Sequence, residues 1–449
     1  PQSVNVDVFA RDSADPTLYG QANVTLRAYN LLILSGSPNV SPTFVNSNEA
    51  LRGEGYYFNL NHFTHTEITS GDADIENRIR QMAAKADIIV IQMISEADTV
   101  AKLRELIAGT NATIMAIKCG VTFINDPTID SNDTGLRTYW DQSGEENMAR
   151  FQLKVLQRVG MAVDPSRDLS AVIYPTEFIY HPDSSTPMYT SWSDYYNWYT
   201  QQSGHYYENA PWIGMVAYNT IFLNGNGAIL EAILRSLEAK GLNVIMVITN
   251  GNPGRINTIN NFFMDGNHTR ISALVACVGY TMVYSSSDMV SSLNQSIDLL
   301  EKLGVPIFAP IYASDLENWE NDSSGLSSEI YWQVAFPEME GRIEPIMLGG
   351  VVSAETDPYT GISIKRYIPL TDRVERVANR VFNWTQLQTL PDAEKKIAII
   401  YYNLSGGKDG VEASYLNVPA SIAEILKALK AEGYTIPDEY SVDYIINVL

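Results

Sequence analysis

The 449-residue chain carries 52 acidic against 30 basic side chains, a formal charge of −22, which turns it away from nucleic-acid backbones and anionic membrane surfaces. With 45% hydrophobic and only 18% charged residues it has the material for buried cores and is not an intrinsically disordered chain; its length implies two to four domains. No apolar run approaches the ~18 residues of a membrane span, and its two cysteines, Cys119 and Cys277, are too few and too far apart for a zinc-binding CxxC pair or a disulfide framework.

In chain order, residues 3–10 (SVNVDVFA) and 21–29 (QANVTLRAY) alternate polar with apolar around a DSADPTLYG turn, which predicts a β segment over 1–29, a hairpin or the end of a β-sandwich. A lone two-stranded ribbon is marginal, so it needs a partner, one candidate being another copy of the chain by strand addition. From Leu31 the pattern becomes strand and helix in alternation: LLILSG, the helix DADIENRIRQMAAK, ADIIVIQMI, a helix capped by Ser95 and closing near Gly109, TIMAIKC, and the helix GEENMARFQLKVLQRVG. Nearly continuous apolar strands between helices predict a parallel sheet covered on both faces, placed at 30–165. A second alternation, 166–392, runs through AVIYP, IGMVAY, a helix at 226–240, NVIMVIT, ALVACV, SDMVSSLNQSIDLLEKLG and VPIFAPIYA, with a β excursion at 337–370 and the helix VERVANRVFNWTQLQTL. KIAIIYYN and the helix VPASIAEILKALKAEG, within 393–449, read as the first strand-helix unit of a third lobe or a return to the first.

The cysteines lie in apolar strand-like runs and read as buried free thiols, with one disulfide as the alternative in an exported chain. Asn-x-Ser/Thr sequons at Asn23, Asn39, Asn111, Asn132, Asn267, Asn294, Asn321, Asn383 and Asn403 favour an extracellular or cell-surface location over a cytoplasmic one, and the chain opens on Pro1 rather than Met, as a processed protein or a part of one does. His62, His65 and Glu67 have a ligand-like spacing, but NLNHFTHTEI reads as extended, where that spacing sends the side chains to opposite faces. FLNGNGAIL opens a helix with Gly225 and Gly227 but has Leu230 where a dinucleotide fingerprint needs its third glycine, so it reads as a turn. SGGKDG at 405–410 has no P-loop spacing, so no nucleotide site is expected. Glu145, Glu146 and Asn147 follow Gly144 where helix capping alone accounts for them. Tyr195, Tyr196, Trp198 and Tyr199 could stack a flat ligand or bury against a neighbouring lobe.

Read as an ordered series, IYPTEFIYHPD, the aromatic helix ending in NWY, PWIGMVAYN, ILEAILRSLEAKGLNVIMVITN, VERVANRVFNWTQL and KKIAIIYYNLSGGKDGVEASYLNVPASIAEILKALKAEGY, preceded by YWDQSGEEN, resemble the N-terminal part of the large subunit of class I metal chelatases, the cobaltochelatase CobN and magnesium chelatase H family. The resemblance implies an α/β fold of two to three Rossmann-like lobes with mainly parallel sheets behind the short β segment. It implies a subunit that binds a tetrapyrrole, takes cobalt or magnesium as cargo in cobalamin-type biosynthesis, and draws on ATP through partner subunits. It makes His181 a candidate ligand for the metal or a carboxylate, with a turn histidine held against Asp183 as the alternative, and makes Glu145 and Asn147 cleft candidates and Lys408 an anion contact. It also marks Asn219 as a departure, since the family commonly has Arg there, whose planar fork suits a tetrapyrrole carboxylate. The His-Gly-rich metal-insertion segment of the family is absent before Leu449, so the competing expectation is a secreted, self-assembling surface protein that reuses the fold without catalysis.

Overall fold

A computed structural model describes residues 3–11, 14–15, 17, 19–37, 40–94, 96–119, 129–130, 134–251, 254–285, 287–326, 329–403, 411 and 413–448. The chain divides into two compact units, Pro1–Ala378 and Asn379–Leu449.

In the first unit, β1 (Ser3–Arg11) and β2 (Tyr19–Arg27) form an antiparallel hairpin. The first main sheet comprises β3 (Asn30–Ser35), β4 (Asn59–Thr64), β5 (Ile88–Gln92), β6 (Thr113–Ile117) and β7 (Ile129–Asp130) in the order β4-β3-β5-β6-β7, every pair parallel. Its helices are α1 (Ser41–Gly53), α2 (His65–Thr69), α3 (Ala73–Lys85), α4 (Ala97–Leu106), α5 (Thr134–Gln142) and α6 (Glu145–Arg158). The apolar strands are buried on both faces because successive residues feed different cores. Leu31, Ile33, Ile88 and Val90 pack with Phe44, Trp140 and Phe151, whereas Leu32, Leu34, Ile89 and Ile91 pack with Ile79, Val100 and Leu103.

The second sheet has β8 (Glu177–Tyr180), β9 (Trp212–Tyr218), β10 (Asn243–Thr249), β13 (Ala273–Cys277) and β14 (Ile307–Phe308) in the order β14-β13-β9-β10-β8, with only β8 antiparallel; the small pair β11 (Met264–Asp265) and β12 (His268–Thr269) stands apart. A third sheet joins β15 (Ile311–Ala313) in parallel to the hairpin β16 (Met347–Thr356) and β17 (Ser363–Pro369). The intervening helices are α7 (Trp192–Tyr199), α8 (Asn219–Leu223), α9 (Ala228–Glu238), α10 (Gly254–Thr258), α11 (Met289–Leu303), α12 (Leu316–Asn321) and α13 (Phe336–Met339). In both main sheets the order of the parallel strands reverses once, between β3 and β5 and between β9 and β13, and crevices form at such points outside the carboxyl ends of the strands.

Three expected strands differ. AVIYP is not a strand, because Val172 is held by a side chain rather than by a ladder, and the sheet begins at Glu177. VPIFAPIYA is two strands in different sheets, because Pro310 donates no ladder bond. KIAIIYY in the second unit has no strand partner among the described residues and leaves Ile400 95% exposed. That unit holds most of α14 (Thr371–Thr389), then α15 (Val418–Ala431), started by Asn417 with Pro419 in its first turn, and α16 (Val442–Val448). No helix among the described residues is long and apolar enough to cross a membrane. Both cysteines are free and buried.

Candidate functional site

His181 follows β8 at the edge where β10 begins, since β8 and β10 are antiparallel. It is fully buried, and its Nε2 lies 2.9 Å from Glu238 Oε1, while the Asp183 amide N–H donates to Nδ1 over 3.2 Å. The expected contact with Asp183 is made through its backbone amide and not through its carboxylate. The imidazole's carboxylate partner is Glu238, and the Asp183 carboxylate is taken by both guanidinium nitrogens of Arg235 and by His205 Nε2 at 2.8 Å. The hydrogen bond from Arg235 holds the Asp183 carboxyl below its usual range. Glu238 also accepts from Tyr199 at 2.9 Å and faces His205 Nδ1 at 2.9 Å. Tyr195 and Tyr199 are fully buried and bonded to the backbone of Val244, so two of the four aromatic candidates are core rather than an open stacking face; Tyr196 stays 38% exposed.

Glu145 and Asn147 lie elsewhere. Ser143 and Gly144 both take positive φ, which aims the start of α6 at the segment joining the two sheets. There Asn147 is buried, accepting from the Val172 amide at 2.8 Å and donating to the Val172 and Ser143 carbonyls at 3.0 Å each. Glu145 accepts from Asn46 at 2.6 Å. These are structural clamps, and they do not meet His181. His62 and His65 also part, His62 bonding Ser35 at 2.7 Å and His65 bonding Thr99 at 3.0 Å, while Glu67 completes a capping box with Thr64. Lys408, Asn39, Asn132 and Ser95 lie outside the described residues. The side chain of Asn23 is likewise not described, and Asn111, Asn267, Asn294, Asn321, Asn383 and Asn403 are exposed, as most surface asparagines are.

Asn219 is buried at the carboxyl edge of the second sheet, beside the β9/β13 reversal. A cavity of about 170 Å³ opens there, walled by Tyr218, Thr220, Cys277, Gly279, Tyr312, Trp332 and Tyr367. Its frame is cationic: the fully buried Arg342 donates to the Val278 and Tyr280 carbonyls and pairs with Glu340, and the buried Arg255 donates to the Gly279 and Thr281 carbonyls and to the Tyr218 hydroxyl. Gly279 is required, because a Cβ there would stand 2.3 Å from the Trp332 ring. Burial pushes the Cys277 thiol up to about 12. This crevice is below the roughly 300 Å³ at which drug-sized ligands begin to fit.

A larger groove of about 1020 Å³ lies at the opposite, amino edge of the first sheet, lined by Arg27, Tyr29, Asn48, Arg52, Tyr56, Tyr57, Phe58 and Tyr359 among others. The Arg52 guanidinium sits 3.8 Å from the Tyr359 ring centroid, and Arg52 Nε and the buried Asn48 Nδ2 have no hydrogen-bond partner. Arg27 is tethered to Asp87 at 2.6 Å. Two arginines and several tyrosines around a groove of this size suit a flat, anionic ligand. The sequence reading missed it: RGEGYYF at 52–58 is its one local signal, and Tyr359 reaches it from the turn between β16 and β17.

Comparison with known proteins places the fold. The solved structure of the catalytic subunit of cobaltochelatase from Mycobacterium tuberculosis superposes on 93% of this chain and 32% of its own, with a TM-score of 0.54 at 18% identity, a likeness of fold. The chloroplastic magnesium-chelatase subunit ChlH of Oryza sativa subsp. indica is 30% identical over 314 residues, 66% of this chain and 21% of that protein. The aerobic cobaltochelatase subunit CobN of Sinorhizobium sp is 25% identical over 232 residues, 50% of this chain and 17% of that protein. The chain thus spans about a fifth of the length of these curated relatives. The CobN/Magnesium Chelatase family pattern matches residues 137–449, well over half of the sequence, and the chain belongs to that family.

Proposed function

We propose that this chain forms a tetrapyrrole-binding part of a cobalt or magnesium chelatase large subunit, with the metal as cargo and ATP turned over by separate subunits. Family membership supports the reaction class, and the observation that carries the binding role is the groove of about 1020 Å³ with Arg27 and Arg52 among tyrosines in a chain of charge −22. Guanidinium groups hold ring carboxylates through paired N–H donors, and the tyrosine faces supply stacking surface.

The test is a titration of the chain with protoporphyrin IX, followed by the shift of its main absorption band, in the native protein and in Arg52→Ala and Tyr359→Ala. Loss of a charge-assisted pair is worth about 1.5–3 kcal/mol, so Arg52→Ala should weaken binding roughly 10- to 100-fold. Equal affinity in all three proteins would remove the groove from the reading.

A further inference from the structure

Three side chains converge from distant segments at the amino edge of the second sheet: His181 after β8, His205 in the loop after α7, and Glu238 at the end of α9. One donor atom from each lies within 4.8 Å of the others. Glu238 Oε1 is 2.9 Å from His181 Nε2, and Glu238 Oε2 is 2.9 Å from His205 Nδ1. A tetrahedral site with bonds of about 2.0–2.1 Å has edges of roughly 3.3 Å, so each 2.9 Å contact to Glu238 opens by a few tenths of an ångström, and the two imidazole nitrogens, within 4.8 Å of each other, close to form the third edge.

The outer contacts are those of a metal site. His205 Nε2 stands 2.8 Å from Asp183 Oδ2, and Arg235 grips the same carboxylate. That carboxylate engages Nε2 of His205 and leaves Nδ1, on the Glu238 side, as the nitrogen available to a metal. The Tyr199 hydroxyl orients Glu238 from the other side at 2.9 Å. His181 and Glu238 are buried, whereas the His205 side chain is 23% exposed, which leaves an entry path for an ion.

We propose that His181, His205 and Glu238 bind one divalent ion of the zinc type. Two imidazoles and one carboxylate select a borderline transition metal over magnesium or calcium, which take oxygen ligands. The entering metal takes the place of the proton between His205 Nδ1 and Glu238 Oε2, and that proton leaves to solvent. The His181 proton moves from Nε2 to Nδ1 by exchange with solvent, which gives up the Asp183 amide bond, at 3.2 Å the longest hydrogen bond of the cluster. No redox step is involved. The site lies away from the β9/β13 crevice, so the ion ties β8, the loop and α9 together, and this inference does not depend on tetrapyrrole binding.

The test uses the full chain stripped with EDTA and titrated with Co²⁺ alone, then with Zn²⁺. The expected result is one equivalent bound, the visible ligand-field absorption of tetrahedral cobalt, its displacement by zinc, and a higher melting temperature with zinc. His205→Gln, at the partly exposed ligand, should abolish the absorption while circular dichroism shows the fold retained, and Asp183→Asn should weaken binding about 10- to 100-fold. If His205→Gln does not fold, the Asp183→Asn titration decides. Absence of stoichiometric cobalt binding by the native chain, or unchanged binding in these variants, overturns the proposal and leaves the cluster as a hydrogen-bonded brace.

Discussion

Acidification should destabilise the first sheet through His62. The side chain is 4% exposed on β4, packs 5.2 Å from the Phe44 ring, and donates from Nε2 to Ser35 Oγ, which itself donates to the Ser37 carbonyl. Burial, and then the Lys365 charge, push its pKa from 6.5 down to about 3. Between those values the unfolded chain holds a proton that the folded chain refuses, so stability is complete above about pH 6.5 and falls with pH by about 1.36 kcal/mol per unit until about pH 3. At pH 4.5 the loss is about 2.7 kcal/mol, and over the whole window about 5 kcal/mol. Urea unfolding of the native protein and of His62→Gln at pH 7 and pH 4.5 isolates this contribution, because the other titrating groups are common to both. The variant starts lower at pH 7, having lost packing, but should lose about 2.7 kcal/mol less on acidification. Parallel losses in the two proteins would show that His62 is not a buried neutral imidazole.

Asn147→Ala leaves the amide and carbonyl of Val172 without their partners and should cost about 2–3 kcal/mol, read by urea denaturation; a change below about 0.5 kcal/mol would mean that water replaces the amide. Cys277, with its thiol pushed up to about 12, and Cys119, raised by burial, should be inert to a thiol-specific dye at pH 8 and both react after denaturation. Rapid reaction in the native protein, or no reaction in denaturant without a reductant, would contradict two buried free thiols.

Much of the fold is legible because burial on both faces leaves a simple trace. LLIL, IIVI and NVIMVIT are continuous apolar runs, and each proves to be a central or near-central parallel strand. Edges are less legible. EFIY is an antiparallel edge strand whose start is set by the grip of Asn147 on Val172, a contact across 25 residues that no local pattern records. KIAIIYY has the composition of a strand, but composition does not provide a neighbour to bond.

The candidate site divides in the same way. His181 stood out through its motif, while its partner Glu238 looked like one glutamate among many. A signal was present: on α9 the buried positions are Ile229, Leu230, Ile233, Leu234 and Leu237, and Glu238 continues that stripe four residues after Leu234. A carboxylate on the core face of an amphipathic helix needs buried donors, and Tyr199, His181 and His205 supply them. The motif therefore points to the amino edge of its sheet, where Glu238 is the buried carboxylate that His181 meets. The crevice where an open α/β sheet ordinarily meets a ligand is walled by Tyr218, Gly279 and Trp332, which share no sequence motif: the order β13-β9-β10 sets Tyr218 beside Gly279, and Trp332 joins them from a distant helical turn, its carbonyl accepting from the Tyr280 amide. The crevice follows from topology and not from the motif, so substitutions in YHPD should alter the stability of this lobe and the metal binding proposed for it, and leave the crevice intact.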